Sequence, residues 1–405
     1  MNIEQVQSLL RQYGSPLYVF DVDGFCANYR RLTKAMTDVY PRYQLAYSYK
    51  TNYTPYICKL VKELGGYAEV VSDMEYQVAK HVGYADSEII YNGPAKGPLM
   101  EQFLLDGGIL NIDNEEEAER VIATSKAHPE AMLKVGIRIN TDIGAGFVSR
   151  FGLEVDSVAL DYVIKKLKQQ PNIRLVGLHM HVSRARGLQA WKHRIDNILE
   201  TADKYIEGMP EYIDLGSGMF AEMEDYLRSQ FKVDIPSYAD YAEVVAGTMA
   251  KHYADCEEKP YLVTEPGTTV VSRYLSLLTT VTSIKSLRGK DFAVVDSDYH
   301  NAGETCRMMK VPYSHYSTGE SENVIDNPDI VGYTCLEQDR LFEKFPEKVR
   351  VGDIIELRNI GGYSVVYKPP FIRPNCAMVA VKDNSPVSLI KRAETFEDIF
   401  HTYIF

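Results

Sequence analysis

Tyr43-Gln44-Leu45-Ala46-Tyr47-Ser48-Tyr49-Lys50-Thr51-Asn52 alternates apolar and polar side chains in the manner of a strand and then breaks at Thr51-Asn52, a turn signal. The stretch reads as a strand that delivers a lysine to its carboxyl end. An amine placed there faces a cleft, where it can be desolvated, lose its proton and attack an aldehyde carbon. A single lysine after a strand is more often an ordinary solvated side chain, so its surroundings decide the reading.

Outward from this stretch, short apolar strands alternate with helical patterns from residue 43 to about 265. The expected strands lie near 44–48, 67–71, 88–91, 109–112, 134–139, 174–181, 212–215 and 261–264. Between them run amphipathic stretches such as 114–127, where Asn114 or Asp113 can cap a helix and Glu115 to Glu117 suit its positive end. Eight alternating units predict a TIM-like (β/α)8 barrel, here over 22–268. An open doubly wound sheet has the same alternation but usually fewer strands.

Beyond 270 the segments 270–284, 292–295, 354–357, 363–367 and 377–381 are β-branched and aromatic, with Gly, Pro and Asp between them. They predict a C-terminal all-β domain, a sandwich or barrel, built from 269–405 together with 1–21. Within the latter, strand 17–21 leads the chain into the barrel.

Composition sets the outer limits. The 405 residues are 45% hydrophobic and 25% charged, ordinary values for a globular protein of two domains. A net charge of -12 argues against nucleic acid or an anionic membrane surface as partner. No apolar run approaches the roughly 18 residues that span a bilayer. Residues 1–10 start an amphipathic helix and lack the basic and apolar regions of a signal peptide. The six cysteines, at 26, 58, 256, 306, 335 and 376, show no metal-ligand spacing, so no metal is expected and the cytoplasm is the expected compartment.

In a barrel of this type the chemistry sits where the strands end. Lys50 closes the first strand and Glu69 lies in the second. Arg138 and Asn140 close the fifth, His179 and His181 the sixth. The seventh runs into Asp214-Leu215-Gly216-Ser217-Gly218 and the eighth into Thr264-Glu265-Pro266-Gly267-Thr268. Each has a bland reading: a satisfied core histidine, a glycine turn, a β-turn at Glu-Pro-Gly. Converging on one rim, they describe a pyridoxal 5'-phosphate site. Lys50 supplies the imine, the Gly216–Gly218 backbone approaches a phosphate, and a histidine stacks on the pyridine ring. Glu265 holds the ring nitrogen protonated, which makes the ring an electron sink.

The chain resembles the fold-type III pyridoxal phosphate decarboxylases, the family of diaminopimelate, ornithine and arginine decarboxylases. Ala46 to Lys50 matches the family's lysine segment. His181-Val182-Ser183-Arg184 matches His-x-Gly-Ser, Gly216-Ser217-Gly218 the triple glycine, and Glu265-Pro266-Gly267-Thr268 the Glu-Pro-Gly-Arg. Ser149-Arg150-Phe151-Gly152 resembles Ser-Lys-Phe-Gly, and Gly361-Gly362-Tyr363 resembles Gly-Ala-Tyr. Thr334-Cys335-Leu336-Glu337-Gln338-Asp339 resembles the segment with the family's catalytic cysteine.

The resemblance implies decarboxylation of a basic or diamino acid through a Lys50 Schiff base, with His181 behind the ring and a quinonoid protonated by Cys335. It implies cofactor contacts from Glu69, Arg138, His181, Gly216, Ser217, Gly218, Glu265, Gly267 and Tyr363, and substrate contacts from Arg184, Asp339 and Tyr363. It also implies a homodimer whose active sites are shared across the interface. Three matched positions depart from the pattern: Thr268 replaces an arginine, Arg184 a serine, and Leu336 the acid that binds a distal amine. Arg184 or Arg186 can supply the missing cation. Two alternatives stand beside the decarboxylase: a racemase of the same fold, against which Glu265 at the ring nitrogen argues, and a non-catalytic cofactor-binding or regulatory homologue, against which Lys50 argues.

Overall fold

The computed structural model describes residues 1–319 and 322–405, which fall into two compact units. The larger comprises 28–220 and 234–269 and is a closed parallel barrel. Its strands are Tyr43–Ser48, Tyr67–Val70, Ile89–Tyr91, Ile109–Ile112, Leu133–Asn140, Ile173–His179, Tyr212–Asp214 and Tyr261–Thr264. Each pairs in parallel with the next, and the eighth returns to the first with Leu262 opposite Tyr43. Closure leaves the main ring no free edge, as the expected (β/α)8 architecture requires.

The interior is packed by side chains. Ala46, Ile90, Val176, Tyr212 and Val263, from five strands, form one buried cluster. The Tyr212 side chain sits where a Cβ on Gly136 would lie 2.0 Å from its hydroxyl and a Cβ on Gly177 2.5 Å from its ring, so the two glycines leave its space. Helices cap as the sequence indicates: the Asn114 side chain accepts from the Glu117 N–H at the start of Glu115–Ala127.

The second unit comprises 1–27, 221–233 and 270–405. Its main sheet is mixed: Leu17–Asp21 lies antiparallel to Leu275–Leu287 and parallel to Ala377–Val381. The amphipathic helix Ile3–Tyr13 covers it through Val6 and Leu9. The division differs from the limits 22–268 at two places. Residues 22–27 count with the β-rich unit, where Phe25 packs on Phe20 with ring centroids 5.3 Å apart. Residues 221–233 do so because Arg358 grips Glu224 through two hydrogen bonds of 2.7 Å, Nε to Oε1 and Nη2 to Oε2.

Three local expectations are corrected. Residues 270–274, the start of the expected strand segment 270–284, belong instead to the short helix Thr268–Val271 and the 3-10 turn Ser272–Tyr274 before Leu275–Leu287 begins. The segment 363–367 is a turn and a 3-10 helix, because Tyr363 adopts φ 55° and the chain must pass Gly303, whose added Cβ would lie 2.7 Å from Ser364. A helix, Tyr299–Met308, interrupts the β-rich half; Asp298 caps it reciprocally with Asn301. No helix among the described residues is long and apolar enough to cross a membrane.

Candidate active site

The barrel strands deliver their polar termini to one rim. Lys50 stands two residues beyond its strand, in the 3-10 turn Tyr49–Thr51. That turn is pinned by the Tyr47 hydroxyl, which donates to the Asn52 carbonyl at 2.9 Å, and by Gly267, where a Cβ would lie 1.9 Å from Thr51 Oγ1. Gly267 thus serves close packing against the lysine turn.

Lys50 Nζ lies 2.6 Å from Glu69 Oε2, with Glu69 buried and the lysine partly open to solvent. From Glu69 a chain of hydrogen bonds crosses the barrel mouth. Asn92 Nδ2 donates to Glu69 Oε1 at 3.3 Å and to Glu265 Oε1 at 2.5 Å. Asn111 Nδ2 donates to Asn92 Oδ1 at 2.9 Å, and the Tyr212 hydroxyl donates to Asn111 Oδ1 at 2.6 Å. Lys50, Glu69 and Glu265 are therefore held by one network. Asn92 and Asn111 escaped the sequence reading; their signal was a polar side chain at or just after an otherwise apolar strand.

His179 Nε2 lies 3.2 Å from Glu265 Oε2, and His179, Asp214 and Glu265 crowd within 4.8 Å of one another, all buried. Burial lowers the His179 pKa against the opposing pull of Glu265, and its Nδ1 has no partner among the described residues. Burial, and then the Glu265 charge, pushes the Asp214 carboxyl well above its ordinary value. Burial would lift Glu265 too, but His179 and the Lys50 charge outweigh it and hold Glu265 below the usual carboxylate range. Two carboxylates this close keep one proton between them, and it rests on Asp214. Glu265 is left as the buried negative charge of the site.

His181 lies two residues past its strand, not within it. Its Nδ1 accepts from the Ser217 N–H at 3.2 Å, and a Cβ on Gly216 would come within 2.5 Å of its own Cβ. Burial, reinforced by the charges of Arg194, Arg138 and Lys50, holds its pKa well below 6.5. The ring keeps some surface, but the three cations push the same way, so the imidazole is neutral. Gly216 and Gly218 take φ 56° and 112°, and only glycine reaches the second readily. Arg138 joins Asp113 Oδ1 at 3.3 Å and the His181 carbonyl at 3.2 Å, which ties the fifth-strand end to the histidine loop. Arg184 is exposed at φ 66°. Beside the fifth strand a cavity of about 500 Å3 is lined by residues including Asn140, Phe147, Ser149 and Val182.

The remaining predicted residues belong to the β-rich unit. Cys335 is exposed at the tip of a turn. Asp339 closes that turn: its carboxylate accepts from the Tyr299 N–H at 2.9 Å, the Thr334 N–H at 3.0 Å and the Thr334 hydroxyl at 2.6 Å. Buried and fully engaged, Asp339 organises the cysteine turn. The carboxylate expected as a substrate contact is thus engaged by Tyr299 and Thr334.

The groups present fit a phosphorylated pyridine aldehyde. An amine lies within one network of a buried anion, a neutral imidazole packs on a glycine, and a glycine-rich backbone turns beside it. The family model "Pyridoxal-dependent decarboxylase, pyridoxal binding domain" matches residues 26–272. The chain is 28% identical to a diaminopimelate decarboxylase of Methanothermobacter thermautotrophicus, over 96% of this chain and 92% of that one. It is 26% identical to the L-glutamyl-[BtrI acyl-carrier protein] decarboxylase of Niallia circulans, over 100% and 97%. A crystal structure of diaminopimelate decarboxylase from Methanocaldococcus jannaschii superposes with a TM-score of 0.84 at 24% identity, over 98% of this chain and 94% of that one.

Proposed function

The chain belongs to the pyridoxal-dependent decarboxylases, and from that premise we propose that it removes the α-carboxylate of a diamino acid at the rim built around Lys50. The observation that carries the assignment of residues is the hydrogen-bonded path from Lys50 through Glu69 and Asn92 to Glu265. The bound cofactor supplies the electron sink for the leaving carboxylate.

The chain's residues supply the rest. Lys50 is the amine that holds the cofactor aldehyde, and Glu69 holds the proton that this amine gives up or takes back. Glu265, kept ionised beside a protonated Asp214, holds a proton on the facing ring nitrogen. His181, neutral and oriented by the Ser217 N–H, packs its flat face on the ring. Arg138 keeps the histidine loop in place, and the Gly216–Ser217–Gly218 backbone takes the phosphate. Cys335 gives the α-carbon its proton, and Tyr363 reaches the phosphate. Asp339 shapes the turn that carries the thiol. A homodimer in which the cysteine turn of one chain serves the barrel of its partner, and a cytoplasmic location, complete this reading; both rest on the family pattern and composition.

Leu336 favours a second substrate class. It stands where relatives of the family carry the acid that grips a distal amine, and one relative acts on a glutamyl group carried by a protein. Carbon dioxide release should therefore be screened over diaminopimelate, lysine and ornithine of both hands, and over a glutamyl thioester of a carrier protein. Turnover confined to the thioester transfers the assignment to the second class. Release from no member of the panel overturns the decarboxylase reading.

A further inference from the structure

Arg194 forms no ion pair among the described residues, yet it is fully buried on helix Leu188–Tyr205. A buried guanidinium is costly unless its N–H groups are satisfied. Here four carbonyls take the N–H groups of Nη1 and Nη2, while Nε has no partner among the described residues. Nη1 donates to Leu215 at 2.8 Å and Ser217 at 3.0 Å; Nη2 donates to Val182 at 3.2 Å and Ala185 at 3.5 Å. The first pair belongs to the loop after the seventh strand and the second to the loop after the sixth. One planar fork therefore fastens together the glycine turn and the loop that carries His181.

The fork also decides which way the peptides face. In a planar trans peptide the C=O and N–H point in opposite directions. With the Ser217 and Val182 carbonyls turned toward Arg194, the N–H groups of Gly218 and Ser183 turn away from it, and neither has an acceptor among the described residues. The two turned peptides are neighbours, since a Cβ on Gly218 would lie 3.8 Å from the Val182 carbonyl. Two donors facing outward with a buried cation behind them make an anion cradle. The Trp191 indole, 4.2 Å from the guanidinium, and the Tyr241 ring, 5.5 Å from the indole, fill the space beneath.

We infer that Arg194 is the positioning residue of the phosphate cradle, setting the direction of its backbone donors and supplying the positive charge that Thr268 does not. The inference rests on the proposed cofactor site and deepens it. Burial lowers the guanidinium's pKa to about 9, which still leaves it protonated at neutral pH. Its charge is also one of those that face His181, with Arg138 and Lys50 on the same side of the balance and Glu265 opposing them.

Trp191, the single tryptophan, is a built-in reporter for the test. Full-length wild type, Arg194→Met and Arg194→Lys are titrated with inorganic phosphate and, separately, with pyridoxal 5'-phosphate, following Trp191 fluorescence. Histidine-selective NMR reads the titration of His181 in each. Arg194→Met should bind phosphate at least about tenfold more weakly and let His181 titrate at higher pH. Arg194→Lys should keep His181 low, because the charge remains, yet lose affinity, because one ammonium cannot span four carbonyls.

A folded Arg194→Met that binds phosphate like wild type, with His181 unmoved, overturns the inference and makes Arg194 a core filler. If Arg194→Met does not fold, Arg194→Lys decides, and wild-type phosphate affinity there overturns the fork argument. Wild type that binds neither titrant overturns the functional reading itself, a result separable from the others.

Discussion

In the proposed site, Lys50 and Glu265 divide the chemistry at the level of single residues. Borohydride reduction of the loaded protein followed by peptide mapping should place the pyridoxyl group on Lys50; any other lysine sinks the site assignment. Glu265→Gln keeps the shape of the side chain and removes the charge proposed to retain a proton on the ring nitrogen. It should therefore keep the cofactor but lose at least about a hundredfold in turnover. Near-normal activity would support a racemase-like arrangement instead. His181 offers a pH test whose sign follows from its low pKa in the fold. Below pH ~6.5 the unfolded chain takes up a proton at this position that the folded chain refuses, so His181 makes stability fall as the pH drops. In His181→Asn the slope of unfolding free energy against pH, measured in urea between pH 5 and 6, should lose up to about 1.4 kcal/mol per pH unit of that fall. An unchanged slope would show that the ring is charged in the fold.

At the level of elements, the turn after the seventh strand carries the geometry of the cradle. Gly216 and Gly218 are glycines for different reasons. A Cβ at 216 strikes His181 at 2.5 Å, whereas at 218 there is room but φ is 112°. Gly216→Ala should displace the imidazole and weaken cofactor binding by at least about tenfold, and Gly218→Ala should strain the backbone itself. Gly187, at φ -72° with nothing within 4 Å of an added Cβ, is the matched control, and Gly187→Ala should bind cofactor normally. Equal affinity in all three variants would remove the turn from the phosphate site. The 3-10 turn at Val365–Tyr367 shows how the fold can override local strand preference. Tyr363 to Tyr367 has strand-forming residues, but the crossing past Gly303 forces Tyr363 into the left-handed region and overrides the local preference.

For the whole molecule, the proposed dimer makes the strongest demand. If Cys335 of one chain serves the Lys50 of its partner, Cys335→Ala and Lys50→Ala homodimers are each inactive, but their hetero pair holds one intact site. Random exchange makes half the dimers hetero, so mixing should restore about a quarter of the wild-type activity per site. No recovery after verified subunit exchange would place both residues in one chain's site, or make Cys335 a purely structural thiol.

What the sequence alone determined is the architecture and the identity of the terminal groups. Alternating strand and helix periods predict a barrel, and a barrel of parallel strands can put chemistry only where its strands end, so Lys50, Glu265 and the glycine turn were legible in one dimension. Protonation and positioning were decided by tertiary structure. That Asp214 carries the proton and Glu265 the charge depends on which other groups lie within a few ångströms, and those groups come from strands scattered along the chain. Arg194 looked like one more polar residue in an amphipathic helix, because no local pattern marks a side chain whose partners are four backbone carbonyls in two loops. Strand period acts between neighbours, whereas desolvation and hydrogen bonding act through space, and only the closed barrel brings those partners together.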